Sequence, residues 1–186
     1  AMDMCIEKAH KYGMGMVAVR NSSHYGIAGY WTNLAAKENM IGISGTNARP
    51  SVAPTFGVEN MLGTNPLTFS MPTDEPFPFT LDCATSVIQN GKIEYYARIG
   101  HDTPEGLVMS REGEVLTDSV EILKKIRNKQ AALAPLGGFG ETTGGYKGYG
   151  YSTVVEILSA ALQSGIFLRA LEGKNEDGSL RPYHLG

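Results

Sequence analysis

The chain has 186 residues, of which 42% are hydrophobic and 19% are charged, a composition that excludes a disordered protein or a coiled coil and is typical of a globular domain. Its net charge of -3 and its isoelectric point near 5.8 give no electrostatic footprint for nucleic acid or for an anionic membrane. We therefore expect a small-molecule partner, and neither nucleic acid nor a membrane.

Cysteine usage and hydropathy predict the compartment. Cys5 falls in a helical pattern and Cys83 ends an apolar run, so neither suggests a disulfide framework or a paired metal ligand. The sequence contains no run of about 18 apolar residues, and no signal-peptide pattern opens it. These features predict a cytoplasmic protein in a reducing compartment.

The two ends of the sequence predict that residues 1–186 are one domain of a longer protein. Apolar side chains recur at helical spacing from Met2 onward with no capping residue before them. A polar loop is expected over 172–179, and the sequence stops a few residues later. We expect a fragment of a longer subunit.

The first half of the chain predicts alternating strands and helices. Residues 16–19 form a short apolar run, 27–38 carry an apolar helical face, and 41–44 form a second strand. This strand-helix-strand order is typical of parallel pairing. The next apolar runs, 67–71 and 77–81, are separated by a proline-rich turn and predict a hairpin.

The second half predicts helices separated by irregular segments. We expect a helix over 87–99 with Ser86 as its N-cap, an excursion over 100–117 with a short hairpin around 112–114, and helices over 118–128 and 154–162. A strand that ends at the start of a helix would offer backbone donors to an anion. The predicted fold class is α/β, with a mixed sheet flanked by helices.

His24 is the first candidate functional residue. It follows the predicted strand at 16–19 and precedes a glycine and the first long helix. An imidazole can take or give a proton near neutrality, and strand ends of α/β proteins are where sites gather. The alternative is a histidine that only fixes a turn by hydrogen bonding.

Seven glycines lie within 137–150 and lead into the last predicted helix. Such a loop allows close approach of the backbone to a phosphate, but it is also compatible with a flexible lid or a tight packing crossover. It lacks the P-loop pattern, because Tyr146 stands at the lysine position and Lys147 comes one residue late. The GxGxxA match at 13–18 leads into a strand, which is the wrong context for a Rossmann fingerprint.

Other chemistries find little support in the residues. No GxSxG elbow occurs, and the four histidines lie far apart without metal-ligand spacing. Arg49 follows the strand at 41–44, and it is either an exposed surface cation or a planar clamp for a substrate carboxylate.

Five ordered motifs together carry a resemblance that covers essentially the whole chain. They are VAVRNSSHYG at 17–26, TNARP at 46–50, LGTNP at 62–66, LDCATS at 81–86 and GYKGYG at 145–150. In order and rough spacing they resemble the malate/L-lactate dehydrogenase family, which also holds ureidoglycolate, sulfolactate and diketogulonate oxidoreductases.

The resemblance implies NAD- or NADP-dependent interconversion of a small 2-hydroxy acid and its 2-oxo acid, with malate expected first and lactate next. It implies a homodimer whose cofactor-binding core domain, here 1–186, is not a standard Rossmann fold. His24 matches the general acid/base. The loop with Asn47 and Arg49 lies near the substrate in the family. The positions that contact the dinucleotide match Asp82, Cys83, Ala84, Tyr146 and Lys147.

One departure from the family pattern concerns the cofactor. Tyr146 stands where many members carry histidine before the lysine, which alters that contact without removing it. The alternative function is a non-catalytic, nucleotide-binding regulatory domain in which His24 only braces a turn. A purely structural α/β protein is a third interpretation, disfavoured by the polar turns at the strand ends.

Overall fold

The computed structural model describes residues 1–172, 175, 177–179 and 185–186, so the polar loop expected over 172–179 lies partly outside the described residues. The fold mixes helices with two small sheets. In chain order the elements are α1 (Met2–Tyr12), α2 (Ala28–Lys37), β1 (Gly42–Gly45), β2 (Leu67–Met71), β3 (Phe79–Cys83), α3 (Asn90–Ile99), β4 (Val108–Ser110), α4 (Ser119–Arg127), β5 (Ala131–Leu133), α5 (Gly145–Ala160) and the 3-10 segments Ala161–Gln163 and Leu168–Leu171.

Both sheets are antiparallel. The first has the order β1-β2-β3, and the second pairs β4 with β5. The hairpin expected from the runs at 67–71 and 77–81 is confirmed, with β2 at the predicted residues and β3 two residues later. The expectation of parallel strands is wrong, because all pairs of named strands in the described residues are antiparallel. The one parallel pairing in this part of the chain is an isolated bridge between Val52 and Leu133.

The strand predicted at 16–19 is also wrong. These residues have irregular backbone and pair with no strand in the described part of the chain, and the nearest pairing is an isolated bridge between Ser22 and Leu185. Met14 and Met16 are exposed. An apolar run becomes a strand only where a neighbouring strand pairs with it, and local sequence does not show that neighbour. The strand-helix-strand unit therefore does not form.

The first sheet has an unusual distribution of side chains. Its face under α2 carries hydroxyl groups, and the Thr32 hydroxyl lies 2.6 Å from that of Ser70. The opposite face carries apolar side chains that are 57% exposed at Ile43, 56% at Phe79 and 46% at Leu81. Burying such a face is favourable. It is therefore a candidate surface for contact with other protein.

The main apolar core lies between the second sheet and the helices α3 and α4. It contains Val52, Leu62, Ile88, Ile93, Val108, Ile122, Ala131 and Leu133. β5 was not predicted, because three residues are too few to show a pattern. The hairpin near 112–114 is confirmed by the bond from the Ser110 N–H to the Glu114 carbonyl.

Two predicted helix starts are wrong. α3 begins at Asn90 after Gln89, and the Ser86 hydroxyl donates to the Ile88 carbonyl instead of capping the helix. Consequently β3 does not lead directly into a helix that could hold an anion. α5 begins at Gly145, nine residues before the predicted start at 154, inside the glycine cluster.

α4 is capped by a side chain, and its predicted span is confirmed to within a residue at each end. The Asp118 carboxylate accepts from the Val120 and Glu121 N–H groups, both at 2.9 Å. We expect Asp118→Ala to lower the free energy of unfolding by about 1 kcal/mol, because two end donors lose their acceptor. Urea denaturation checks this. Asp118→Asn keeps an acceptor and is the control; an equal loss in both variants would contradict the capping argument.

Candidate active site

His24 lies in the exposed turn that leads into α2. Its Nδ1 accepts a hydrogen bond from the Gly26 N–H at 3.1 Å, and Gly26 has a φ of 86°, a conformation that favours glycine. An accepting Nδ1 places the proton of the neutral ring on Nε2. The turn thus sets the tautomer, and Nε2 is the nitrogen that remains for a ligand.

Tyr25 fixes this turn to β1. Its hydroxyl lies 3.3 Å from that of Ser44, and its carbonyl accepts from the Trp31 indole N–H at 3.0 Å. Burial raises the pKa of Tyr25 above its ordinary 10.0, the Ser44 hydrogen bond lowers it, and the negative charge of Asp82 raises it. The phenol is therefore neutral near pH 7. Since Ser44 precedes Arg49 by only five residues, the His24 turn and the Arg49 loop lie at the same end of β1.

Asp82 joins β3 to the start of α2. Its Oδ2 accepts from the Gly29 N–H at 2.7 Å and its Oδ1 from the Thr68 hydroxyl at 2.8 Å. A Cβ on Gly29 would lie 2.8 Å from Oδ2, so any larger residue there would push the Asp82 carboxylate out of this position. The contact brings the Asp82 loop close to the helix that follows His24. Cys83 is exposed and Ala84 is partly buried at the end of β3.

The two predicted substrate residues differ in exposure. Arg49 is exposed on the loop after β1, whereas Asn47 is fully buried. The Asn47 amide donates to the Glu156 carboxylate and to the Ile166 carbonyl at 3.1 Å, and its oxygen accepts from the Gly186 N–H at 3.1 Å. In this structure Asn47 therefore supports the loop, and Arg49 is the residue of the pair that a ligand can reach.

Tyr146 and Lys147 lie in the first turn of α5. Tyr146 is 52% exposed, Lys147 is exposed, and the Lys147 Nζ lies 6.0 Å from the centre of the Tyr146 ring. The first turn of a helix has N–H groups without partners inside the helix, and its dipole favours an anion. With a lysine in the same turn, this helix start can bind a phosphate group.

The glycine cluster is held against the segment that follows Ala84. The Leu136 N–H donates to the Thr85 carbonyl at 2.8 Å, and the Gly148 N–H donates to the Leu136 carbonyl at 3.2 Å. The start of α5 and the end of β3 therefore lie on opposite sides of one short backbone connection. The structure thus brings the two predicted dinucleotide-contacting segments together.

Three residues at the site were not predicted: Tyr25, Asn65 and Glu156. Asn65 belongs to the LGTNP motif, and Glu156 is the one charged residue between Lys147 and Arg169 in an otherwise apolar and uncharged stretch. A lone charge in an apolar helix is a detectable signal, since burying it is costly without partners. Within the described residues, no group of three or more His, Cys, Asp or Glu side chains could hold a metal ion, and no helix is long and apolar enough to cross a membrane.

The sequence profile described as malate/L-lactate dehydrogenase matches residues 1–186, and the chain belongs to this family. The malate dehydrogenase of Pyrococcus abyssi is 51% identical over 179 residues, which are 96% of this chain and 48% of that protein. The L-sulfolactate dehydrogenase of Methanocaldococcus jannaschii is 39% identical over 160 residues, 86% of this chain and 42% of that protein. The chain thus spans about half the length of the curated relatives it matches.

Solved structures give the same result. The malate dehydrogenase of Entamoeba histolytica superposes with a TM-score of 0.88 at 50% identity, covering 91% of this chain and 47% of that one. The sulfolactate dehydrogenase of Methanocaldococcus jannaschii superposes with a TM-score of 0.80 at 34% identity, covering all of this chain and 49% of that one. The resemblance inferred from the five motifs is confirmed.

Proposed function

We propose that the full-length protein is an NAD- or NADP-dependent oxidoreductase that interconverts a small 2-hydroxy acid and its 2-oxo acid, with malate the preferred substrate and lactate the next candidate. Family membership supports the reaction class. Two relatives named malate dehydrogenase, at 51% and 50% identity, support the order of substrates. The observation that carries the proposal is the exposed His24, whose turn lies at the same end of β1 as Arg49.

His24 acts as the general acid/base in this proposal. During oxidation it accepts the hydroxyl proton, and during reduction it returns that proton to the carbonyl oxygen. A doubly protonated ring has two N–H groups and no acceptor, so the bond from the Gly26 N–H exists only with the neutral ring. Each proton transfer therefore requires the ring or its glycine turn to reorient.

Arg49 binds the substrate carboxylate. It is exposed on a loop whose backbone is fixed from within, since the Ala48 N–H donates to the Asn65 amide oxygen at 2.9 Å. A guanidinium matches a carboxylate with two parallel hydrogen bonds. Asn47, the other predicted substrate residue, contributes by holding this loop.

The residues at the start of α5 fit a dinucleotide. A Cβ added at Gly140 would meet nothing within 4 Å, and one at Gly144 would meet only the Lys147 side chain, so the backbone there is open to a ligand. Lys147 and the positive end of the α5 dipole suit a pyrophosphate, and Cys83 and Ala84 lie across the Leu136 connection. When bound, the nicotinamide gives or accepts the hydride. The antiparallel pairing in both sheets supports a non-Rossmann domain.

The proposal extends to assembly and location. We propose a cytoplasmic homodimer, and the exposed apolar face of the first sheet supports an interface. The face contains apolar side chains on all three strands, which is more than single scattered hydrophobic residues. Analytical ultracentrifugation of the full-length protein tests the dimer, and a monomer at micromolar concentration would contradict it.

Lys147→Gln is expected to raise the Kd for NADH or NADPH about tenfold, because a charge-assisted hydrogen bond to a phosphate is worth about 1.5–3 kcal/mol. Calorimetric titration at two salt concentrations measures this, and the variant should lose part of the salt dependence. Lys11→Gln, on the exposed side of α1, is the control and should bind as the parent does. Equal Kd values for both variants would remove Lys147 from the cofactor site.

The function itself is tested by titrating the full-length protein with NADH and NADPH and then adding oxaloacetate, pyruvate and related 2-oxo acids. Loss of the reduced-nicotinamide absorbance with one acid would name the substrate. Cofactor binding with no turnover on any acid would favour the alternative, a nucleotide-binding regulatory domain. The names of the relatives support the enzyme over that alternative.

A further inference from the structure

Glu156 is a buried carboxylate in the C-terminal half of α5, with 6% of its surface exposed. Its Oε1 accepts from the Leu168 N–H at 2.9 Å and from the Asn47 amide at 3.4 Å. Its Oε2 accepts from the Asn65 amide at 2.8 Å. Three donors from three separate segments therefore converge on one side chain.

The two asparagines extend this network into the loops at the candidate site. Both are fully buried, and the oxygen of Asn65 accepts from the Ala48 N–H at 2.9 Å. The Asn65 amide also donates to the Ser152 carbonyl at 3.1 Å. A Cβ added at Gly63 would lie 2.4 Å from the Ala48 carbonyl oxygen, so the two loops are in direct backbone contact. Residues 46–49 and 63–65 thus form one unit, and the Glu156 carboxylate accepts hydrogen bonds from an asparagine in each of the two segments.

We infer that Glu156 is a positioning residue, which sets the place of Arg49 by holding Asn47 and Asn65 on either side of Ala48. This inference rests on the proposed function, in which Arg49 binds the substrate carboxylate. Glu156 does not touch the substrate. It acts through the Asn47 and Asn65 amides, each of which donates to one of its oxygens, and the Asn65 oxygen in turn accepts from the Ala48 N–H.

The free-energy cost of burying a carboxylate indicates that Glu156 positions the loops and does not merely fill space in the core. A buried carboxylate is costly, and an apolar side chain of similar size would avoid that cost. A side chain with two acceptor oxygens is needed here, because the Asn47 and Asn65 amides donate to different oxygens of Glu156. Without both oxygens, one of these buried amides would lose its partner. The carboxylate therefore specifies one arrangement of the two loops.

Glu156→Gln removes the charge and one acceptor oxygen of this side chain but keeps its size. The glutamine keeps one oxygen but turns an N–H₂ group toward a donor, so one of the two loops loses its support. We expect the KM for the 2-oxo acid to rise about tenfold while kcat changes less than about threefold, since a carboxylate clamp acts on bound substrate and transition state alike. The Kd for NADH, which binds at the start of α5, should remain unchanged.

The matched control is Ser152→Ala, one turn earlier on the same helix. The Ser152 hydroxyl is buried without a hydrogen-bond partner in the described residues, and the substitution keeps the backbone carbonyl that Asn65 contacts. This variant should retain the KM of the parent. If Glu156→Gln does not fold, Glu156→Asp is the second variant, because it retains both oxygens on a shorter side chain. We expect it to raise KM as well, by a smaller factor than Glu156→Gln.

Amide hydrogen exchange of the full-length protein gives a readout that needs no turnover. In Glu156→Gln, exchange at Ala48 and in peptides covering 46–50 and 63–66 should become faster, with β2 and β3 unchanged. Faster exchange confined to these loops supports the inference even if no 2-oxo acid is turned over, in which case the proposed function alone fails. Unchanged exchange at Ala48, or a fall in kcat at constant KM, would overturn the inference and leave the proposed function standing.

Discussion

Replacing His24 with alanine is expected to lower kcat about 10³-fold, within the usual range for removal of a general acid/base, while the Kd for the reduced dinucleotide stays the same. The side chain is exposed, and its recorded bond is with the Gly26 N–H two residues away. Its removal therefore takes away the proton carrier without disturbing the core. Steady-state kinetics with the identified 2-oxo acid, together with calorimetric titration of NADH, measure the two effects separately.

His101→Ala is the matched control for this experiment. His101 is also exposed, and its hydrogen bonds are made by its backbone: the N–H donates to the Tyr96 carbonyl and the carbonyl accepts from the Ser119 hydroxyl, and the variant keeps both. This variant should retain full turnover. A His24 variant with parental kcat would remove the acid/base assignment, and equal losses in both variants would point to a general effect of deleting an imidazole.

The parts of the fold that were predicted are those with a complete local signal. β2 was predicted at its observed residues, because 67–71 form an apolar run with a turn signal before it and a proline-rich turn after it. α4 was predicted to within one residue at each end as a short polar helix over 118–128, and its observed N-cap is Asp118, the first residue of that span. In both cases the information lies within a few neighbouring positions.

The errors in the predicted fold arise where contacts between distant parts of the chain determine the local structure. The apolar run at 16–19 has the composition of a strand, but no partner strand pairs with it in the described residues. The nine residues at the start of α5 include Gly145, Gly148 and Gly150, which lower helix propensity. These residues are helical because two of the glycines pack against backbone from 136–140, a segment that local sequence cannot place.

The same limit applies to the candidate site. His24 could be predicted from its position in a recognisable motif. The partners of Glu156 could not, since Asn65 is 91 residues and Asn47 is 109 residues away in sequence. A lone glutamate in an apolar helix indicates a buried partner but does not identify it. Motifs therefore locate candidate ligand-binding residues more readily than the buried residues that hold their loops in place.

The glycine cluster at the start of α5 leads to the largest expected effect on stability. A Cβ at Gly148 would lie 2.3 Å from the Leu136 carbonyl oxygen and 2.4 Å from its nitrogen. These are backbone atoms that also bond to Thr85 and to Gly148 itself. They cannot move aside without breaking the connection between α5 and the segment after β3. We expect Gly148→Ala to lower the free energy of unfolding by about 2 kcal/mol or more, despite the better helix propensity of alanine.

Gly150→Ala tests whether this loss comes from the close contact and not from the residue type. Gly150 lies two residues further along α5, and a Cβ there would meet nothing within 4 Å. Alanine at this position should raise stability by about 0.5–1 kcal/mol, the usual gain in a helix interior. Opposite signs in urea denaturation of the two variants would show that the Leu136 backbone requires glycine at 148. Because Lys147 adjoins Gly148, the Gly148 variant should also bind dinucleotide more weakly, and parental affinity in a destabilised variant would separate the packing role of the cluster from its proposed phosphate contact.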